Sequence, residues 1–336
     1  MAEGAPRRHT TLDEVAELAG VSRSVASRAL NNAPHVSRAK REAVERAVRQ
    51  LGFVPNPTAR ALATRQTGAA ALVVSGEDPS IFADPFFARV IAGASAALED
   101  ADLHLMLCLA ASDRGRGRVE RLLRSKGADG VMLMALREDD PLARLAEEAE
   151  LPVVFGGRPV GLEPRWYVDV DNVGGARAAT EHLIAAGRTR VATICGRLDT
   201  EVGRARYRGY RDAMLAAGLE PYPSAGDFTG PSGAAAMAAL LAHRPDLDGV
   251  FAASDNMAAG ALRTLRKAGR LVPSDVAVVG FDDLPVARIA EPPLTTVHQP
   301  VEGLGREMAR MLVALVDGQD PTPLILPTRL VTRASA

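Results

Sequence analysis

Along residues 11–52 the apolar positions recur every three or four residues, and three short amphipathic helices follow from that spacing. The first opens at Thr11, with Glu14 three residues on as in a reciprocal capping box, and aligns Leu12, Val15, Ala16 and Ala19. Gly20 stops it, and Ser22 can cap a second helix with Val25, Ala26, Ala29 and Leu30 on one face. A third begins at Ser37 and lines up Ala43, Val44, Ala47, Val48 and Leu51. Ala16 and Gly20 are small where the first two helices must nearly touch, so the segment reads as a helix-turn-helix. Phe53-Val54-Pro55-Asn56-Pro57 then leads into a short helical pattern, with Asn56 as N-cap and Pro57 in the first helical position. From Gly68 onward the period changes again. Short, nearly continuous apolar runs at 70–74, 103–107, 130–134 and 152–155 alternate with amphipathic stretches, and a second series lies at 190–194, 249–252 and 276–279. Such runs suit strands buried on both faces of a parallel sheet, and two series predict two doubly wound lobes.

Composition narrows the class. At 336 residues the chain suits two or three domains, and 47% hydrophobic residues can fill their cores. No apolar stretch is long enough to span a membrane, and no apolar run follows Arg7 and Arg8 as a secretory leader requires. Cys108 and Cys195 each sit within an apolar run, so buried free thiols in a reducing cytoplasm are expected. Charge is uneven: residues 1–66 hold 11 Lys and Arg against 6 Asp and Glu, and the remainder 29 against 35. A small basic segment joined to a larger acidic one suggests that the first meets a polyanion. In the second helix Arg23, Ser24, Ser27 and Arg28 lie away from the apolar stripe. These side chains can reach base edges in a major groove, although a merely solvated helix face would carry the same residues.

Residues 10–65 resemble the DNA-binding module of LacI/GalR-type bacterial regulators. The shared text is TLDEVAELAGVS, SRAL ending at Asn31, Val36-Ser37, and Leu51-Gly52-Phe53-Val54-Pro55-Asn56. The resemblance implies that Arg23 and Ser24 read bases with Arg28 beside them, and that Ser22, Ser27, Asn31, His35 and Ser37 touch phosphates. It also implies a hinge helix over residues 56–63, whose Leu62 wedges into the minor groove. Thr11, Asn56 and Arg60 complete the expected DNA-binding set.

The resemblance continues over 69–330, which look like the family's effector domain and, through it, periplasmic sugar-binding proteins. It rests on Asp84-Pro85-Phe86-Phe87, Val168-Asp169-Val170-Asp171-Asn172, residues 178–187, Gly226-Asp227-Phe228, Val279-Gly280-Phe281-Asp282-Asp283, and Pro292-Pro293-Leu294-Thr295-Thr296-Val297. It implies an interlobe cleft presenting Asp84, Phe86, Phe87, Arg158, Arg206, Phe228, Asp255 and Asp282. Guanidinium forks and a carboxylate bind vicinal hydroxyls, and an aromatic face packs on ring C–H groups, so the expected ligand is a sugar or oligosaccharide. Gly157 stands where the family usually has aspartate, and Ser254 where it usually has asparagine.

Enzyme signals fail. Gly93-Ala94-Ser95-Ala96-Ala97 lacks the last glycine of a nucleophile elbow, and the calcium-loop start at Asp169 meets Val173 and Thr180 at ligand positions. The six histidines have no metal spacing, and no dinucleotide fingerprint follows the first strand. The expected fold is thus a small all-α helix-turn-helix domain plus a periplasmic-binding-protein-like α/β effector domain of two doubly wound lobes. The expected boundaries are 1–55 for DNA binding, 56–67 for hinge and linker, and 68–336 for the effector domain. Within the last, lobe one takes 68–167 and 299–319, and lobe two takes 168–298 and 320–333. The expected function is a cytoplasmic, sequence-specific transcription regulator without cofactor or metal, a repressor controlled by a sugar-like ligand. A ligand-responsive activator, or a sugar-binding protein without regulatory role, are the alternatives. With no heptad extension after the strand-like segment 323–331, a homodimer on a near-palindromic double-stranded operator is expected.

Overall fold

The computed structural model describes residues 10–30, 35–54, 66–76, 84–125 and 127–336. They divide into two compact units, within 1–68 and 69–336. In the first unit, α1 (Leu12–Leu18), α2 (Arg23–Leu30) and α3 (Arg38–Leu51) enclose Val15, Ala16, Ala26, Ala29, Val44 and Ala47. The capping box forms as the spacing requires: Thr11 Oγ1 accepts from the Glu14 amide, and the Glu14 carboxylate accepts from the Thr11 amide. Gly52 ends α3 in the left-handed region (φ 59°), which a Cβ would oppose.

The second unit holds two six-stranded sheets of the same topology. The first orders β11 (Leu324–Leu326), β5 (Tyr167–Val170), β4 (Val153–Gly156), β3 (Gly130–Met134), β1 (Ala69–Val74) and β2 (His104–Leu109), all parallel. Alternate residues of its strands bury on opposite faces. Ala70, Leu72, Met132 and Val154 meet α4 (Pro85–Asp100) and α12 (Val301–Val316), while Ala71, Val73, Val131 and Val153 meet α5 (Asp113–Ser125) and α6 (Pro141–Glu147). Helices α4 and α12 touch backbone to backbone, because a Cβ at Gly93 would run into the Glu302 carbonyl. The second sheet orders β12 (Arg329–Val331), β10 (Thr295–His298), β9 (Ala277–Asp282), β8 (Gly249–Ala252), β6 (Val191–Ile194) and β7 (Tyr222–Ser224). It is parallel except for β12, and lies between α7 (Asn172–Ala185) with α8 (Glu201–Ala216) and α9 (Gly230–His243) with α10 (Asp255–Lys267). A short α11 (Pro285–Ile289) follows β9.

Two expectations need correction. The lobe boundaries assigned 168–298 and 320–333 to the second lobe, but β5 keeps 168–170 in the first sheet, and β11 pairs beside it with Leu324 opposite Val168. The segment 323–331 is therefore two strands in two sheets, with the crossing between Leu326 and Arg329. The run at 103–107 was expected to be buried on both faces. Its strand β2 is instead the edge of the first sheet, with Met106 and Leu107 exposed and Cys108 only half-buried. Cys195 is buried, which pushes its thiol up to about 12.

Candidate nucleic-acid interface and effector cleft

Helix α2 turns Ala26 and Ala29 inward and leaves Ser22, Arg23, Ser24 and Arg28 exposed, with Ser27 half-buried. Arg23 lies 3.5 Å from Asp13 of α1, with both side chains largely exposed, so the pair holds the guanidinium only weakly. Arg28 Nε donates to the Ser24 carbonyl, and the Ser22 and Ser24 hydroxyls are 3.1 Å apart. These groups form one polar face of forked and short donors at the start of the second helix, where a recognition helix meets base edges. His35 is exposed with φ 69°, and Ser37 begins α3 without a side-chain capping bond, leaving its hydroxyl available. Thr11 instead uses its hydroxyl to cap α1. Asn31, Asn56, Arg60 and Leu62 lie outside the described residues.

In the second unit the functional side chains gather at the carboxyl ends of the strands, where open α/β sheets bind ligands. Arg206 on α8 is the centre. Its Nε donates to Asn172 Oδ1 (2.9 Å), and its Nη1 donates to the Ala253 carbonyl (2.6 Å) and Asp282 Oδ1 (3.0 Å). Its guanidinium carbon sits 3.7 Å from the centroid of the Phe281 ring, a cation–π contact. Gln299 Nε2 donates to the same Asp282 oxygen (2.5 Å). Asn172 is itself fixed by donating to Asp169, whose other oxygen accepts from Arg158 Nε (3.1 Å). Arg206 Nη2 and Asp282 Oδ2 have no hydrogen-bond partner among the described residues, and neither is sealed from solvent. One donor and one acceptor are thus left over on a buried frame, the combination that vicinal hydroxyls match.

Burial dominates the electrostatics. It pushes the Asp282 carboxyl up to about 6, against the pull of Arg206. Burial, then repulsion from Asp282, holds Asp255 well above the ordinary carboxylate range. Burial also raises Asp169, opposed by its bond from the Val170 amide and by Arg158.

The other expected residues divide. The Phe228 ring lies 6.0 Å from the Arg206 guanidinium and rests against Gly196, where a Cβ would run into it. Asp84 caps α4 through the Phe86 amide and reaches Asn256 of the second lobe (3.3 Å). Phe86 and Phe87 stack edge to face, with Phe86 packed on the core of the first lobe. Arg158 is half-buried beside Asp169. Asp255 departs from expectation: it is fully buried, and its two oxygens accept from Thr296 Oγ1 and the Leu284 amide beneath the end of β9. Asn256, the next residue, is the one that reaches across to the first lobe.

Sequence reasoning missed Asn172, Gln299 and Asn256. It also missed a second bridge between the lobes, where Arg137 pairs with Asp199 (2.7 Å) and Glu138 with Arg204 (2.5 Å). Asn172 stands inside the matched text Val168-Asp169-Val170-Asp171-Asn172, and Gln299 follows a strand, so both carried a signal. Two surface depressions on the second lobe are lined by Arg190, Tyr222 and Arg244, and by Arg266, Leu271 and Glu291. Neither is lined by an expected effector residue. Among the described residues no cluster of His, Cys, Asp or Glu could hold a metal, and no helix is long and apolar enough to cross a membrane.

Comparison with known proteins agrees with this geometry. Residues 11–56 match "Bacterial regulatory proteins, lacI family", and residues 180–336 match "Periplasmic binding protein-like domain". The HTH-type transcriptional regulator CelR of Thermobifida fusca is 49% identical over 98% of this chain and 99% of its own. A solved complex of the transcriptional regulator CelR with cellobiose superposes with a TM-score of 0.78 at 48% identity, covering 97% of this chain and 100% of that one. The lac repressor dimer bound to operator and an anti-inducer gives 0.86 at 27% identity, over 98% of this chain and 99% of that one. The chain is a DNA-binding transcription regulator rather than an enzyme, and it belongs to the LacI family.

Proposed function

We propose that the chain is a cytoplasmic repressor whose operator occupancy is set by cellobiose or a closely related glucose disaccharide in the interlobe cleft. The observation that carries this reading is the unpartnered pair of Arg206 Nη2 and Asp282 Oδ2 beside Phe228, in a chain 48% identical to a regulator solved with cellobiose. The effector set is then Asp84, Phe86, Phe87, Arg158, Arg206, Phe228 and Asp282, with Asp255 acting from beneath. Thr11, Ser22, Arg23, Ser24, Ser27, Arg28, Asn31, His35, Ser37, Asn56, Arg60 and Leu62 form the DNA-binding set.

The active species is a homodimer on a near-palindromic operator. The exposed apolar edge of β2, at Met106 and Leu107, needs a covering surface, and the lac repressor was solved on its operator as a dimer. Ligand coupling of about 1–3 kcal/mol per site is typical, so two sites can change DNA affinity by roughly a hundredfold. Calorimetry of the full chain with cellobiose tests the ligand. Saturable binding is expected, with a raised melting temperature, whereas an isothermal baseline beside binding of an unrelated metabolite would refute it.

A further inference from the structure

The Asp282 carboxylate sits on a backbone that an aspartate rarely adopts. Asp282 has φ 112° and Asp283 φ 56°, two consecutive non-glycine residues at positive φ where β9 ends. Such a residue is strained and persists only when its surroundings over-determine it. The same turn faces the other lobe, because the Asp283 carbonyl accepts from Arg89 Nη1 of α4 (3.4 Å).

What over-determines the turn is a segment remote from it in sequence. The Asp283 carboxylate is almost fully buried. It accepts from Arg333 Nη2 on one oxygen (2.5 Å) and lies 3.1 Å from His298 Nδ1 on the other. The exposed Arg288 is 3.9 Å away and is screened by solvent. The fork of Arg333 also donates Nη1 to the Leu294 carbonyl (2.7 Å), and its own amide donates to Thr295 Oγ1 (2.9 Å). Two residues on, the buried Ser335 accepts from the Thr295 amide and donates to the Val278 carbonyl, stitching residues 333–336 between β9 and β10. From below, Asp255 accepts from the Leu284 amide and Thr296 Oγ1. Arg333 thus bridges the strained turn to the strand beside it, alongside His298 of β10, with its side chain 16% exposed.

We propose that Arg333 is a positioning residue for the effector site, holding the Asp283 turn so that Asp282 presents Oδ2 to the ligand. It touches no ligand. It acts through Asp283 as Gln299 and Arg206 act directly on Asp282. A planar fork suits the role because one side chain must satisfy a carboxylate and a carbonyl at once, which a lysine cannot do bidentately. The assignment rests on the reading of the cleft given above, with cellobiose as the probe.

The test compares wild type with Arg333→Ala and Arg333→Lys in the full chain, using two readouts. The first is hydrogen exchange of the ligand-free protein over 281–286. The second is the cellobiose Kd, measured well below each variant's melting temperature. Arg333→Ala is expected to speed exchange at the turn selectively and to raise the Kd tenfold or more, with Arg333→Lys falling between. Unchanged exchange at the turn, or an unchanged Kd in a variant whose only defect is a lower melting temperature, overturns the proposal. If wild type itself fails to bind cellobiose, the reading of the ligand is wrong. Exchange then decides alone, with selective loosening of 281–286 supporting the positioning role and uniform or absent change refuting it.

Discussion

The two lobes of the effector unit are built to one plan and do different work. Each is a six-stranded sheet with equivalent strand order and helices on both faces. The second lobe carries the polar frame at its strand ends: Arg206, Asn172, Asp282, Asp255 and the Phe228 ring on Gly196. The first lobe brings to the same cleft mostly groups at its rim, Asp84, Arg89, Arg137 and Glu138, which reach across to the second. It also has the exposed apolar edge β2, whereas its counterpart β7 shows no large exposed hydrophobic residue. A fold is therefore a poor guide to a site. The second lobe carries the fixed polar groups, and the first supplies the rim and an exposed apolar edge.

The sharpest way to break this comparison is Arg206→Ala. Removing one partner of a buried ion pair leaves Asp282 uncompensated, so the variant should lose about 3–5 kcal/mol of stability by chemical denaturation. Cellobiose binding should fall below detection by calorimetry. Asp84→Ala, on the rim of the first lobe, should weaken binding by less than tenfold. Equal losses from both substitutions would mean that the lobes share the clamp. Next comes Leu107→Asp on β2. A desolvated charge at a dimer seam should raise the dimer dissociation constant by about a hundredfold in sedimentation, through the cost of burying it unpaired. The cellobiose Kd of the resulting monomer should change little, and a dimer of undiminished stability would remove β2 from the interface.

A smaller effect follows from the Asp282 carboxyl, which burial pushes up to about 6 from an ordinary value of 3.8. Since the folded value is the higher, the folded state takes up this proton first. The ionised group disfavours folding above pH 6, and that cost is relieved as the pH falls from about 6 toward 4. Ligand binding needs the ionised acceptor, so cellobiose affinity should fall roughly tenfold between pH 7 and pH 5. Asp282→Asn should abolish that pH dependence. A flat profile in wild type would show that the carboxylate does not accept from the sugar. The smallest effect belongs to the half-exposed bridge of Arg137 with Asp199. Asp199→Asn should weaken cellobiose two- to fivefold at low salt, with the difference vanishing at high salt as the pair is screened. A salt-independent loss would point to direct ligand contact.

Much of this was legible in the sequence, for stated reasons. The three helices follow from apolar spacing and from the Thr11–Glu14 capping box, and the central strands follow from uninterrupted apolar runs. Arg206 and Asp282 came from resemblance, since neither has a local pattern of its own. The crossing between β11 and β12 was hidden, because residues 324–331 read as one strand-like stretch and only pairing with β5 and β10 separates them. Asp255 was misjudged because a capping-position carboxylate looks available in a sequence, while here Thr296 and Leu284 occupy both its oxygens. The bridge of Arg137 and Glu138 to Asp199 and Arg204 was invisible, since scattered surface charges acquire partners only when the lobes meet.

The central claim is that a sugar in the cleft controls occupancy of DNA by the helix-turn-helix. It is tested most directly by selecting the preferred duplex from a random library and titrating its complex with cellobiose at fixed salt, using anisotropy to follow the DNA. The account predicts a near-palindromic selected site and release of that duplex, with a tenfold or greater loss of affinity at saturating cellobiose. The Arg206→Ala protein should hold the same duplex without responding. Binding of the selected duplex that stays within twofold at saturating cellobiose, in a protein that demonstrably binds the sugar, would contradict it.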